Sequence, residues 1–205
     1  MNDIVAALAA LGAATLGEAG GQAMRARIRP AWPGASVCGP AFCAENTPGD
    51  NLAIHVAAAR APAGSVIVAS VGEVAELGYW GEVLTTAAQT RGVAGLVIDG
   101  GVRDVAALEA HGFGVFSTMI ALRGATKDHP GRVGGTVRVG DVDVHTGDWI
   151  VGDADGVTVV RVDELESVLA AAHSRAAKES EMFTALQSGA TTLDLLSLDP
   201  TKIAF

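Results

Sequence analysis

Twenty residues separate Glu82 from the adjacent pair Arg103-Asp104, inside the block GEVLTTAAQTRGVAGLVIDGGVRD that runs from Gly81 to Asp104. A guanidinium beside a carboxylate can hold a small anion next to a divalent cation, and a second acid nearby strengthens the hold on that cation. The pattern points to metal-assisted chemistry on a small oxo-acid. The block itself predicts a helix of about three turns from Glu82, a buried strand Leu96-Val97-Ile98 and a glycine turn at Gly100-Gly101. In an α/β unit, ligands gather at the carboxyl ends of strands, and Arg103 and Asp104 fall at such an end.

Each of these residues also has a plainer role. An acid in the first turn of a helix is stabilised by the helix dipole with or without a ligand, which would account for Glu82 and Asp104 as surface residues. The context favours chemistry, because two glycines let the backbone approach a ligand and Glu82 and Asp99 add acidity. Mg²⁺ is commonly held by one or two carboxylates, with waters and substrate oxygens completing the shell, so a sparse acidic site suffices. The helix start Gly81-Glu82-Val83-Leu84 presents free amides that suit a carboxylate ligand. Asp99, just before Gly100, is a weaker candidate that serves equally as a turn former.

Other chemistries lack their motifs. The histidines His55, His111, His129, His145 and His173 form no HxxxH or HExxH pair, against a histidine zinc site. Cys38 and Cys43, with no second pair, read as buried thiols in a strand. Asp153-Ala-Asp155-Gly156 lacks the remaining ligands of a calcium loop and reads as a hairpin turn. There is no GxGxxG, no P-loop and no GxSxG elbow.

Of the 205 residues 49% are hydrophobic but only 4% aromatic, so the core must be built from Ala, Val and Leu. The net charge of −9 lies wholly in the C-terminal part: twelve acids and three bases fall between Asp141 and Asp199, and the rest carries eleven of each. That is no nucleic-acid footprint, and no stretch reaches the ~20 apolar residues of a membrane span. With Asp3 and no basic run near the start, the N-terminus is a poor signal peptide, and a cytoplasmic protein is expected.

The supporting elements follow from pattern. Asp3 caps a helix through Leu8, and a second short helix spans about Thr15 to Met24. A strand is expected from Ser36 to Phe42, then a helix Asn51 to Arg60 with Asp50 as its N-cap, then a core strand Ser65 to Ala69. Beyond the Glu82–Arg91 helix and the Leu96 strand come a helix from Asp104 to His111 and a strand Gly114 to Ser117. After Pro130 the alternation of Val133, Val137, Val139, Val142, Val144 and Ile150 predicts short antiparallel strands. Asp163 caps a final helix of about Glu164 to Gln187, which Gly189 stops.

The chain resembles the class II pyruvate aldolases of the 4-hydroxy-4-methyl-2-oxoglutarate / 4-carboxy-4-hydroxy-2-oxoadipate type, a superfamily that also holds the regulator of ribonuclease E activity A. The likeness runs from Pro48-Gly-Asp-Asn51 through Gly81–Asp104 to His145-Thr-Gly-Asp148 and Gly152-Asp-Ala-Asp-Gly156. Its most specific motif, acid-x20-Arg-Asp, reads here Glu82-x20-Arg103-Asp104. The resemblance implies one α/β domain over residues 1–205, with a layered αββα fold of the swivelling phosphohistidine-domain type and flanking terminal helices. It implies a homotrimer or homohexamer with sites between subunits. It also implies Mg²⁺ or Mn²⁺ held by Asp104 with Glu82 in support, Arg103 on the keto or enolate oxygen, and the Val83 and Leu84 amides on a pyruvate carboxylate. A Glu from a neighbour's C-terminal helix would complete the site, with Glu179 the nearest match and Glu181 the alternative. One departure is Ala107, where the family often carries an acid.

The activity so implied is cleavage of a 4-hydroxy-2-oxo (di)carboxylic acid to pyruvate and an oxo compound, with oxaloacetate decarboxylation through the same enolate. No lysine lies in the motif block, against a Schiff-base aldolase. The contrasting expectation is a non-catalytic regulator that binds a ribonuclease, and Asp104 separates the two because that regulator does not keep it. Arg123 and Lys127 are candidates for reading the substrate's C4 substituents.

Overall fold

The structure, a computed structural model, describes residues 2–72 and 76–204. In chain order its strands are β1 (Gln22–Ala23), β2 (Arg29–Pro30), β3 (Val37–Glu45), β4 (Val66–Ser70), β5 (Gly78–Trp80), β6 (Gly95–Asp99), β7 (Gly101–Val102), β8 (Gly114–Ser117), β9 (Met119–Ile120), β10 (Arg132–Val133), β11 (Thr136–Val139), β12 (Val142–His145), β13 (Trp149–Gly152) and β14 (Val157–Val160). The helices are α1 (Asn2–Glu18), α2 (Leu52–Arg60), α3 (Glu82–Gln89), α4 (Val105–Ala110), α5 (Leu165–Gln187) and the short α6 (Thr192–Leu195).

The main sheet has the order β1-β14-β13-β3-β4-β6-β8-β2, with β10 also on β3. Its centre, β3-β4-β6-β8, is parallel, and the remaining pairings are antiparallel. The central strands β4 and β6 read VIVAS and GLVID and are buried on both faces, as a covered parallel sheet requires. On one face α2, α3 and α4 pack through Ile54, Leu84 and Leu108 onto Ile67, Leu96 and Ile98. On the other face the β11–β12 hairpin lays Val137, Val139, Val142 and Val144 over Cys43, Val66, Val68 and Val97. Leu8 and Leu16 of α1, with Val168 and Ala172 of α5, cover Trp149, Val151 and Val160. The result is the expected layered, mixed α/β arrangement with helices at both ends.

The departures from expectation have local causes. The two N-terminal helices are one element broken at Gly12, whose φ of 77° is non-helical, and the Asp153 carboxylate accepts the freed Ala13 amide at 2.7 Å. The region expected to close that second helix instead forms β1, paired to β14. α3 is shorter than three turns. Gly100-Gly101 is no simple turn, because Gly101-Val102 form a strand between β5 and β9. At α5 the N-cap position is Glu164, not Asp163, and no side chain caps it. Beyond Ala172 no described residue is buried, and Phe183, Leu193, Leu196, Leu198 and Ile203 are exposed. Among the described residues no helix is long and apolar enough to cross a membrane.

Close packing across β6 and β8 depends on two facing glycines, Gly95 and Gly114. A Cβ at position 114 would stand 2.0 Å from the Ser36 carbonyl oxygen and 2.7 Å from a Val37 methyl. Backbone cannot yield there as a flexible side chain would. Gly114→Ala should therefore destabilise the fold by about 1–3 kcal/mol, the range for overpacked sites, read as a lower urea midpoint with an unchanged slope.

Candidate active site

Two strand-to-helix junctions meet at the site. β5 and β7 pair in parallel, Gly78 opposite Gly101 and Trp80 opposite Val102, and each strand runs directly into a helix, α3 or α4. Trp80 anchors the junction: it is buried, its ring stacks on Phe113 at 5.8 Å, and its indole donates to the Thr85 hydroxyl at 2.7 Å. The Trp80 carbonyl accepts the Arg103 amide at 2.9 Å, which fixes the motif pair against the start of α3.

Asp104 occupies the position before α4 in the left-handed region, φ 58° and ψ 35°, a conformation that Asp tolerates better than most residues. This turns its carboxylate back over Gly81. Oδ2 accepts the Glu82 amide at 3.0 Å and lies 3.7 Å from Arg103 Nε. A Cβ on residue 81 would stand 2.4 Å from that oxygen, so the glycine makes room for the carboxylate. The Val83 and Leu84 amides belong to the first turn of α3, where donors lack intrahelical acceptors.

These groups border a cavity of about 250 Å³, lined among others by Gly81, Val83, Leu84, Arg103 and Asp104. That volume is below the usual range for drug-sized ligands and suits a small acid. The other lining residues include Asn51 and His55 of the α2 region, and Lys127. The Asn51 side chain donates to the Tyr79 carbonyl at 2.7 Å, while its buried Oδ1 has no partner among the described residues. Burial pushes the His55 imidazole below its ordinary pKa, the charge of Lys127 adds to this, and Asp50 opposes it. The cavity thus holds two cations, one carboxylate and an imidazole biased to its neutral form.

Lys127 comes from the loop 122–130, in which no residue is buried and only Ala125 is half-buried. Asp50 holds this loop. Its side chain is 1% exposed, and Oδ2 accepts the Thr126 hydroxyl at 2.7 Å and the amides of Asp128 and His129 at 2.7 and 3.1 Å. Oδ1 accepts the Leu52 amide at 2.8 Å, so Asp50 caps α2 from one residue before the cap position, which is Asn51.

The aldolase/RraA profile of the RraA-like type matches residues 5–159. The chain belongs to the aldolase/RraA family. A candidate 4-hydroxy-4-methyl-2-oxoglutarate aldolase of Halalkalibacterium halodurans is 35% identical over 152 residues, covering 74% of this chain and 72% of that one. An uncharacterised protein of Pseudomonas syringae superposes with a TM-score of 0.80 at 25% identity, over 93% of this chain and 95% of its own. Streptomyces coelicolor RraAS2, described as an unusual member of the RNase ES inhibitor RraA family, shares the fold with a TM-score of 0.75 at 24% identity, over 91% of this chain and 98% of that one.

Within this aldolase/RraA protein, six of the residues singled out from sequence meet at the cavity: Gly81, Val83, Leu84, Arg103, Asp104 and Lys127. Glu82 contributes its amide, but its carboxylate turns away, with Oε1 3.4 Å from His111 Nε2. Glu179 lies on α5, paired with Arg175 at 3.0 Å; Glu181 is on the same helix, and no α5 residue lines the cavity. Asp99 is not part of the site: Arg27 grips it in a fork at 3.1 and 2.8 Å, and it accepts the Gly140 amide. Arg123 also lies outside the lining. Asn51 and His55 were missed, although their i, i+4 spacing at the start of an Ala-rich helix puts two polar residues on one face.

Among the described residues no three of His, Cys, Asp and Glu gather as a metal cage. The donor set still fits a hard cation of the Mg²⁺ kind. Asp104 Oδ1 makes no hydrogen bond among the described residues while Oδ2 is fixed by Glu82, and one carboxylate with substrate and water oxygens is a sufficient set.

Burial alone would raise the Asp50 pKa, but the bonds from Leu52, Thr126, Asp128 and His129 outweigh it and hold the group well below the usual carboxylate range. Its folded pKa is therefore depressed, so its stabilisation is present above the unfolded value of about 3.9 and is lost as pH falls below it. The wild-type urea midpoint should decline from pH 5 to pH 3, and Asp50→Asn should lower the midpoint at pH 7 and shallow that decline.

Proposed function

We propose that this protein is a divalent-metal-dependent lyase that cleaves a 4-hydroxy-2-oxo acid to pyruvate and an oxo compound, and that it also decarboxylates oxaloacetate. The observation that carries the reading is the placement of Arg103 and Asp104 side by side on a small cavity, facing the open amides of α3. The likeness to the Halalkalibacterium halodurans protein supports the aldolase class.

The roles follow from charge. The Val83 and Leu84 amides take the 1-carboxylate, where the helix start favours an anion. Arg103 donates to the 2-oxo oxygen, on which negative charge grows as the C3–C4 bond breaks. A fixed donor at such a position contributes about 2.7–4 kcal/mol. Asp104 would hold Mg²⁺ or Mn²⁺, which when bound polarises the 2-oxo group as a Lewis acid. Asn51, His55 and Lys127 face the portion beyond C3, with the Lys127 ammonium suited to a second carboxylate.

A neighbouring subunit would bring Glu179 or Glu181 to the site in a homotrimer or homohexamer. The unburied stretch after Ala172, with its exposed Phe183 and leucines, is consistent with such an assembly. The second reading, a regulator that binds a ribonuclease without turnover, is favoured by the fold shared with RraAS2. A fold shared at that identity carries no activity, and the Arg103-Asp104 pair favours the enzyme.

Pyruvate should appear from 4-hydroxy-4-methyl-2-oxoglutarate or oxaloacetate with Mg²⁺ and not with chelator. No release from either, together with recovery of a ribonuclease in pull-down, would favour the regulator. Asp104→Ala should abolish release while leaving the oligomer unchanged by light scattering; normal turnover would remove Asp104 from the metal. Arg103→Lys should lower kcat about 10²–10³-fold, since an ammonium lacks the guanidinium fork.

A further inference from the structure

We infer that Asp50 is a positioning residue that latches the loop 122–130 and so places Lys127 to bind the far carboxylate of a dicarboxylate substrate. The inference rests on the orientation of substrate proposed above, with the 2-oxo acid end at Arg103.

The loop has no apolar anchor of its own apart from half-buried Ala125. Backbone bonds hold its flanks: Gly78 donates to the Arg123 carbonyl, Asn51 to the Thr126 carbonyl, and Thr126 to the Gly49 carbonyl. Beyond these bonds, the residues on either side of Lys127 converge on one atom. Asp50 Oδ2 accepts from Thr126 before it and from Asp128 and His129 after it, so the chain at Lys127 curls round a single oxygen. The carboxylate is buried, and both of its oxygens are used. Lys127 itself has only a 3.3 Å contact to the Ala125 carbonyl and no ion pair among the described residues, so its ammonium is available while its backbone is fixed.

This arrangement makes Asp50 and Lys127 one functional unit although their side chains do not bond. In Asp50→Asn the remaining amide oxygen can still accept the Leu52 amide that caps α2, so the change falls on the loop and should be felt by a ligand that reaches Lys127 and not by one that stops short. Pyruvate and 2-oxoglutarate share the 2-oxo acid end, and only the second carries a distal carboxylate.

The test is calorimetric binding of both ligands to the Mg²⁺-loaded protein, with amide hydrogen exchange as the second readout. Asp50→Asn and Lys127→Met should each weaken 2-oxoglutarate about tenfold and pyruvate less than twofold. The double variant should bind no worse than either single one, because each change removes the same contact. Exchange at the Asp128 and His129 amides should quicken in Asp50→Asn and stay unchanged in Lys127→Met. Thr126→Val, which removes one bond to the latch from the loop side, should act like a weaker Asp50→Asn if the latter is poorly folded. Equal weakening of both ligands, additive losses in the double variant, or unaltered exchange in Asp50→Asn would each overturn the inference. If the binding pattern holds but no substrate yields pyruvate, the latch stands and the lyase reading falls.

Discussion

The parallel pairing of β5 with β7 is the constraint on which the site depends. Both strands are very short, and each passes at once into a helix, so pairing them places the starts of α3 and α4 side by side. The pairing is held from below by a large buried ring, Trp80 on Phe113, and from within by the Arg103 amide on the Trp80 carbonyl. Two residues twenty-two positions apart in sequence thereby share a hydrogen bond: the Glu82 amide and the Asp104 carboxylate. The left-handed turn at Asp104 and the absence of a side chain at Gly81 are both needed for that contact.

Much of this was legible in the chain. The buried runs at Val66 and Gly95 and the alternation after Pro130 led to the right layers, and the Arg103-Asp104 pair of the motif borders a cavity. Other features depended on long-range partners that local pattern does not reveal. Gly101-Val102 looks like part of a turn until β5 and β9 flank it. Asp99 sits where a ligand would, yet Arg27, seventy-two positions earlier, claims it. Glu82 has the right place and type, but His111 at the end of α4 draws its carboxylate outward. Asn51, His55 and Lys127 carry no joint signature because Asp50 must bridge more than seventy positions to bring the loop beside α2.

The site is economical in acids. Among the described residues Asp104 is the one carboxylate on the cavity lining, which it shares with Arg103 and Lys127. A site of this composition is most complementary to a ligand with more than one negative oxygen, accompanied by a cation that Asp104 can share. A cation held there would draw most of its coordination from the ligand and from water.

The uneven charge of the chain adds a kinetic consequence. The cavity lining carries Arg103 and Lys127 against Asp104 on a chain of net charge −9. A dianion approaching through solvent meets repulsion at long range and attraction only near contact. Dissolved ions screen interactions beyond a Debye length of about 8 Å at physiological strength far more than those at contact. Moderate salt would then remove the outer barrier before it weakens the inner well, and capture of the proposed anionic substrate would quicken with ionic strength where electrostatically steered sites slow down.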